Sequence, residues 1–160
     1  MDQWTSMFDP IFSKIMVAYD SSESSKRALD LAAKTAAMFK GELVILTVIS
    51  REVPPTFIEG SEGPTLSADI QRYLDLRKDF YTRSLEEAKT EVKDRYPGLK
   101  FEAILLEGRP SATIVEVAEE RDVNLIIIGS RGLGGITGWI LGSTSRRVVD
   151  QCTKPILVVK

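Results

Sequence analysis

The residues best suited to chemistry lie between Gly129 and Ser145, in the stretch GSRGLGGITGWILGSTS. Glycines leave backbone N–H groups uncovered, the hydroxyls of Ser143, Thr144 and Ser145 add donors, and Arg131 adds a cation. These are the groups that close around phosphate oxygens. The stretch follows the apolar run from Asn124 to Ile128 and leads into Thr144-Ser145-Arg146-Arg147-Val148-Val149, so it reads as strand, loop, helix. A strand delivers such a loop to the carboxyl edge of a sheet, and the next helix aims its free amides and positive dipole end at the same point. Spacing rules out two familiar cradles. A G-x-G-x-x-G fingerprint starting at Gly132 requires glycine where Thr137 stands, and a Walker A loop requires lysine where Gly135 stands. A glycine-rich turn that only links strand to helix is the bland alternative.

Composition narrows the chemistry further. The chain has 160 residues, enough for one domain with a sizeable core, and 43% of them are hydrophobic. Its net charge is −2 and it has no dense basic run, so neither nucleic acid nor an anionic membrane is expected as a partner. Histidine is absent, which removes Ser-His-Asp and Cys-His triads, histidine metal sites and HIGH-type nucleotidyl transferases. The single cysteine, Cys152, suits a reducing cytoplasm and reads as a small buried hydrophobe. The N-terminus lacks the basic and apolar regions of a signal peptide, and a cytoplasmic location is expected.

The elements that must position the loop follow from periodicity. Apolar runs at Lys14 to Tyr19, Leu43 to Ile49, Lys100 to Leu106, Asn124 to Ile128 and Pro155 to Lys160 predict strands. The second of these, Leu43 to Ile49, is continuous rather than alternating, as in a parallel strand covered on both faces. Between the strands, Asp20-Ser21-Ser22-Glu23 opens a helix that Lys40-Gly41 stops, and Pro110 opens another that runs to about Arg121. A further helix leads from the glycine stretch to about Gln151. Ser50 to Leu66, with three prolines and two glycines, predicts a long loop. Ser67 to Tyr96 predicts one amphipathic helix whose aromatic residues read as core. Residues 1–13 read as an N-terminal extension to a single domain spanning 14–160, packed on its own domain or on a partner subunit. Alternating strands and helices predict an α/β fold with an open parallel sheet and helices on both faces. Glu107-Gly108-Arg109 reads as a turn, and Arg146 and Arg147 as a solvated helix face.

The glycine spacing, Gly129, two residues, Gly132, nine residues, Gly142-Ser143, resembles the signature of the ATP-binding branch of the universal stress protein family. With the strand and helix pattern, the resemblance covers residues 14 to 160. It implies a five-stranded, Rossmann-like sheet of the adenine nucleotide alpha hydrolase type, in strand order 3-2-1-4-5. The crevice then lies between the ends of strands one and four. It further implies an adenine nucleotide, ATP or AMP and ADP, with a divalent cation such as Mg2+ on the phosphates. Gly129, Gly132, Gly142, Ser143 and Thr144 are the implied phosphate and ribose residues. Arg131 offers a forked pairing to a phosphate oxygen. Asp20 is implied beside the adenosine, though a helix cap is its simpler reading. The backbone of Val48 is implied at the adenine, though its side chain also reads as core, and Ala18 is implied as a neighbour of the same base. The last strand, Ile156 to Val159, implies a homodimer across an open sheet edge. The expected function is a nucleotide-binding regulatory protein of the stress response. A slow ATPase or nucleotidyl-transfer enzyme is the alternative, and an interaction module without ligand is the third class.

Overall fold

The computed structural model describes residues 12–52, 64–133 and 141–160. The expectations for the N-terminal extension and for most of the loop after Ser50 fall outside these residues. Among those described, the strands are β1 (Lys14–Ala18), β2 (Glu42–Ile49), β3 (Lys100–Glu107), β4 (Leu125–Gly129) and β5 (Ile156–Val159). The helices are α1 (Glu23–Met38), α2 (Pro64–Arg95), α3 (Pro110–Glu120) and α4 (Ser143–Gln151). The strands form one parallel five-stranded sheet in the order β3-β2-β1-β4-β5, as expected.

Side chains of a strand point alternately to its two faces, and here the alternation sorts the apolar runs into two cores. Ile15 and Val17 of β1, Leu43 and Ile45 of β2, and Leu125 and Ile127 of β4 pack with the alanine-rich face of α1 and with Leu85, Ala88 and Val92 of α2. Met16, Val44, Leu46, Ile126 and Ile128 pack on the opposite side with Ile114, Val117 and Ala118 of α3 and Val148 of α4. Each central strand is therefore buried on both faces, which is why its sequence shows no alternation. Cys152 is half-buried against the second of these cores.

Four local readings change. α2 begins at Pro64, not Ser67, since proline has no N–H to lose in a first helical turn. The N-cap of α1 is Ser22, whose hydroxyl accepts from the Ser25 amide at 3.3 Å. Asp20 stands outside the helix, its Oδ1 accepting from the Ser22 amide at 3.0 Å. The aromatic residues of the long helix are not core. Phe80 is 46% exposed and Leu76 59% exposed. α2 outruns the sheet, so only its C-terminal half meets strands it can pack on. Glu107 ends β3 rather than sitting in a turn, and pairs with Arg51 at 3.2 Å.

Candidate functional site

In a sheet whose connections leave β1 in one direction and reach β4 in the other, no crossover covers the gap between their carboxyl ends. β1 pairs with β2 and with β4, and a cleft of about 650 Å³ opens at this switch point. That volume lies within the ~300–1,000 Å³ usual for small-ligand sites.

The chain is held firmly as it leaves β1. Tyr19 donates its amide to Leu46 O at 2.8 Å, and Thr47 Oγ1 donates to Tyr19 O at 2.9 Å. Ser21 then adopts φ 66°, a left-handed conformation that a non-glycine residue holds only when its surroundings demand it. The turn brings Asp20 against the far side of the cleft, with its Oδ2 only 2.8 Å from where a Cβ on Gly132 would lie.

The glycine stretch is closed at its two described ends. Gly142 donates its amide to Ser130 O at 2.8 Å, and Ser145 Oγ reaches both Ser130 O and Gly142 O at 3.1 and 3.0 Å. Ser24 Oγ donates to Arg131 O at 2.6 Å and accepts from Arg131 N at 3.3 Å. Ser22 Oγ donates to the same carbonyl at 3.2 Å. Thus α1, itself capped by Ser22, fixes the start of the loop.

α4 is arranged differently. Its N-cap is Gly142, with no side-chain hydrogen bond to the first turn. The first-turn amides at the cleft therefore point outward with the positive end of the helix dipole, the arrangement that seats an anion.

All nine residues singled out from the sequence line this one cleft. Ala18, Asp20 and Val48 come from the β1 and β2 ends, and Gly129, Arg131, Gly132, Gly142, Ser143 and Thr144 from the loop and α4. The cleft has two chemical ends. Leu46 and Val48 of β2 with Ala18 of β1 make the β2 side apolar, whereas the glycines, hydroxyls and Arg131 that follow β4 make the other side polar. Gly129 has a structural duty as well, because a Cβ there would sit 2.8 Å from backbone atoms of Ser24 and Ser25. Burial pushes the Tyr19 phenol above its ordinary pKa, and the carboxylates of Glu91, Glu87 and Asp20 push the same way.

Sequence reasoning missed Tyr73, Arg77 and Tyr81 of α2, which also line the cleft. Their spacing of four puts them on one helix face, where periodicity alone assigns the aromatic residues to the core. It missed Ser22 and Ser24 too, because their partner lies more than 100 residues away in the chain. Among the described residues no cluster of histidine, cysteine and carboxylates can hold a metal ion, and no helix is long and apolar enough to cross a membrane.

The model of the universal stress protein family matches residues 12–160. Universal stress protein YxiE of Bacillus subtilis is 33% identical over 150 residues, covering 94% of this chain and all of that protein. Universal stress protein UspA from Lactobacillus plantarum superposes with a TM-score of 0.77 at 21% identity, covering 93% of this chain and 98% of that one. A universal stress protein crystallised in complex with cAMP superposes with a TM-score of 0.62 at 26% identity, covering 93% and 97%. By sequence and by architecture, this chain belongs to the universal stress protein family.

Proposed function

We propose that the chain is a cytoplasmic, adenine-nucleotide-binding regulatory protein of the stress response that works as a homodimer. The observation that carries this reading is the two-ended cleft, with an apolar slot beside Val48 and an anion seat at the N-terminus of α4. A nucleotide has the same division, a planar base at one end and phosphates at the other. The family member crystallised with cAMP supports an adenine nucleotide as the ligand class.

In this reading Gly132, Gly142 and the amides and hydroxyls of Ser143 and Thr144 hold the phosphates, and Arg131 pairs with an oxygen. Asp20 takes the sugar hydroxyls, and Ala18 and the Val48 backbone meet the base. The ligand in this reading is ATP, or AMP and ADP. A divalent cation such as Mg2+ would be held through the phosphates. It would neutralise phosphate charge.

Identifying the small molecule released when the purified protein is denatured tests the reading. Adenine nucleotide near one per chain is expected, and Gly132→Val should abolish it with thermal unfolding little changed, because Gly132 lies at the exposed mouth of the cleft. No released nucleotide, and no binding of Mg-ATP on titration, would sink the proposal.

The homodimer rests on β5. This strand lies at the sheet edge, with β4 as its described neighbour, and Leu157 at its centre is 42% exposed. An apolar open edge invites pairing with another chain. Sedimentation should show a dimer that Leu157→Lys converts to monomer, and a monomeric wild type would overturn the dimer.

A further inference from the structure

α2 spends its N-terminal half away from both cores, yet one face of it is not idle. Tyr73, Arg77 and Tyr81 line the cleft, and none of them belongs to either buried cluster. The Arg77 guanidinium lies 5.5 Å from the ring centre of Tyr73 and 5.9 Å from that of Tyr81, one helical turn to either side. Its Nη1 donates to Glu52 O at 3.3 Å and reaches the Tyr73 hydroxyl at 3.4 Å. Lys78 pairs with Glu107, the last residue of β3, at 3.5 Å. These contacts tie this part of α2 to the segments that leave β2 and β3, which is the apolar end of the cleft rather than the end at the α4 N-terminus.

We propose that Tyr73, Arg77 and Tyr81 form a clamp over the base and sugar of the bound nucleotide, with Arg77 as the residue that sets its affinity. The inference rests on the nucleotide reading above and adds a third wall to that site. The chemistry follows from what faces the three side chains. Ala18, Leu46, Val48 and Ile128 make an apolar slot that suits the flat faces of a purine and leaves it without cover on the α2 side. A guanidinium is planar and weakly hydrated, and it stacks on aromatic faces. Held by two rings and a carbonyl, it has already given up most of its rotamer freedom, so covering a base costs it little more.

Competition against a fluorescent ATP analogue, with adenosine, ATP and inorganic tripolyphosphate as ligands, tests the clamp on the full chain. Arg77→Ala should weaken adenosine and ATP by the same factor, about ten-fold, as loss of one stacking partner does. Tripolyphosphate should be unaffected. Arg77→Lys keeps the charge and loses the planar face, so it should behave like Arg77→Ala. Unchanged adenosine binding in Arg77→Ala, a loss confined to ATP and tripolyphosphate, or full rescue by lysine would each overturn the clamp and leave the nucleotide reading standing. So would a wild type that binds ATP without measurable adenosine. A wild type that binds no nucleotide would overturn both. Circular dichroism of the variants should match wild type, because Arg77 packs in neither core.

Discussion

Gly129, Gly132 and Gly142 look alike in a spacing motif, but their surroundings give them different reasons to lack a side chain. At Gly129 a Cβ would meet Ser24 Oγ at 2.5 Å and peptide atoms of Ser24 and Ser25 at 2.8 Å, so the end of β4 and the start of α1 touch backbone to side-chain-free backbone. Peptide atoms cannot rotate away as a side chain does. Gly129→Ala should therefore destabilise by about 1–3 kcal/mol, as other overpacked contacts do, read as a lower urea midpoint. At Gly142 the nearest atoms lie at 3.4 Å and φ is −60°, so alanine fits. Gly142→Ala should leave the midpoint within about 0.5 kcal/mol of wild type, and equal losses in the two variants would refute the distinction. Ser24 adds to the same contact by spending one hydroxyl on both peptide groups of Arg131. The glycine signature was legible in the sequence. Which glycine serves packing and which leaves room at the cleft was not, because that depends on a helix more than 100 positions away.

At the scale of elements, α1 stops by a device that its sequence disguises. Gly41 N–H donates to Ala36 O at 2.9 Å and Lys40 N–H to Ala37 O at 3.4 Å, which is the paired bonding of a Schellman end. The left-handed residue in that motif is usually glycine, yet here it is Lys40, with φ 54°. Gly41 is needed for another reason, since a Cβ there would run into the carbonyl of Phe12. Lys40→Gly should thus stabilise the protein by about 0.5–1 kcal/mol, seen as a higher melting temperature. A lower one would mean that the left-handed residue is not strained. At the other end, Ser22→Ala should cost about 1 kcal/mol through the lost cap, and Asp20→Ala should not mimic it, since Asp20 lies outside the helix. α2 shows the limit of periodicity. Its stripe predicts one buried face, but the sheet underlies only part of its length, and the remaining turns face the cleft or solvent.

For the molecule as a whole, the resolved proton equilibria of its buried and paired groups point to an alkaline limit on stability. Burial holds the Tyr19 phenol above the ordinary value of 10.0. The hydrogen bond to Asp122, with support from Glu119, holds the Lys154 ammonium above 10.5. Both raised values mean that the folded state keeps its proton longer than the unfolded chain. Their contribution is intact below the unfolded values and is lost as pH rises through the folded ones. Urea midpoints should therefore stay level from neutral pH to about 10 and fall above it. Tyr19→Phe should flatten that fall, and an identical fall in the variant would exclude Tyr19 as a cause. On the acid side Glu23, lowered chiefly by its hydrogen bond from Lys26, acts in the opposite sense: its small, exposed contribution is lost as pH drops through its folded value.

The sequence by itself determined the order of strands and helices, the burial of the central strands on both faces, and the glycine spacing that places small residues after β4. These are local properties, since continuous apolar runs must be covered and glycines leave the backbone open wherever they occur. Tertiary structure decided the rest. Ser22 rather than Asp20 became the cap because a left-handed Ser21 turns the chain between them. Gly129 became a packing residue because α1 crosses it. Tyr73, Arg77 and Tyr81 reached the cleft because α2 extends past the sheet that would otherwise have buried that face. Periodicity reports which residues share a face, and only the folded chain decides what that face meets.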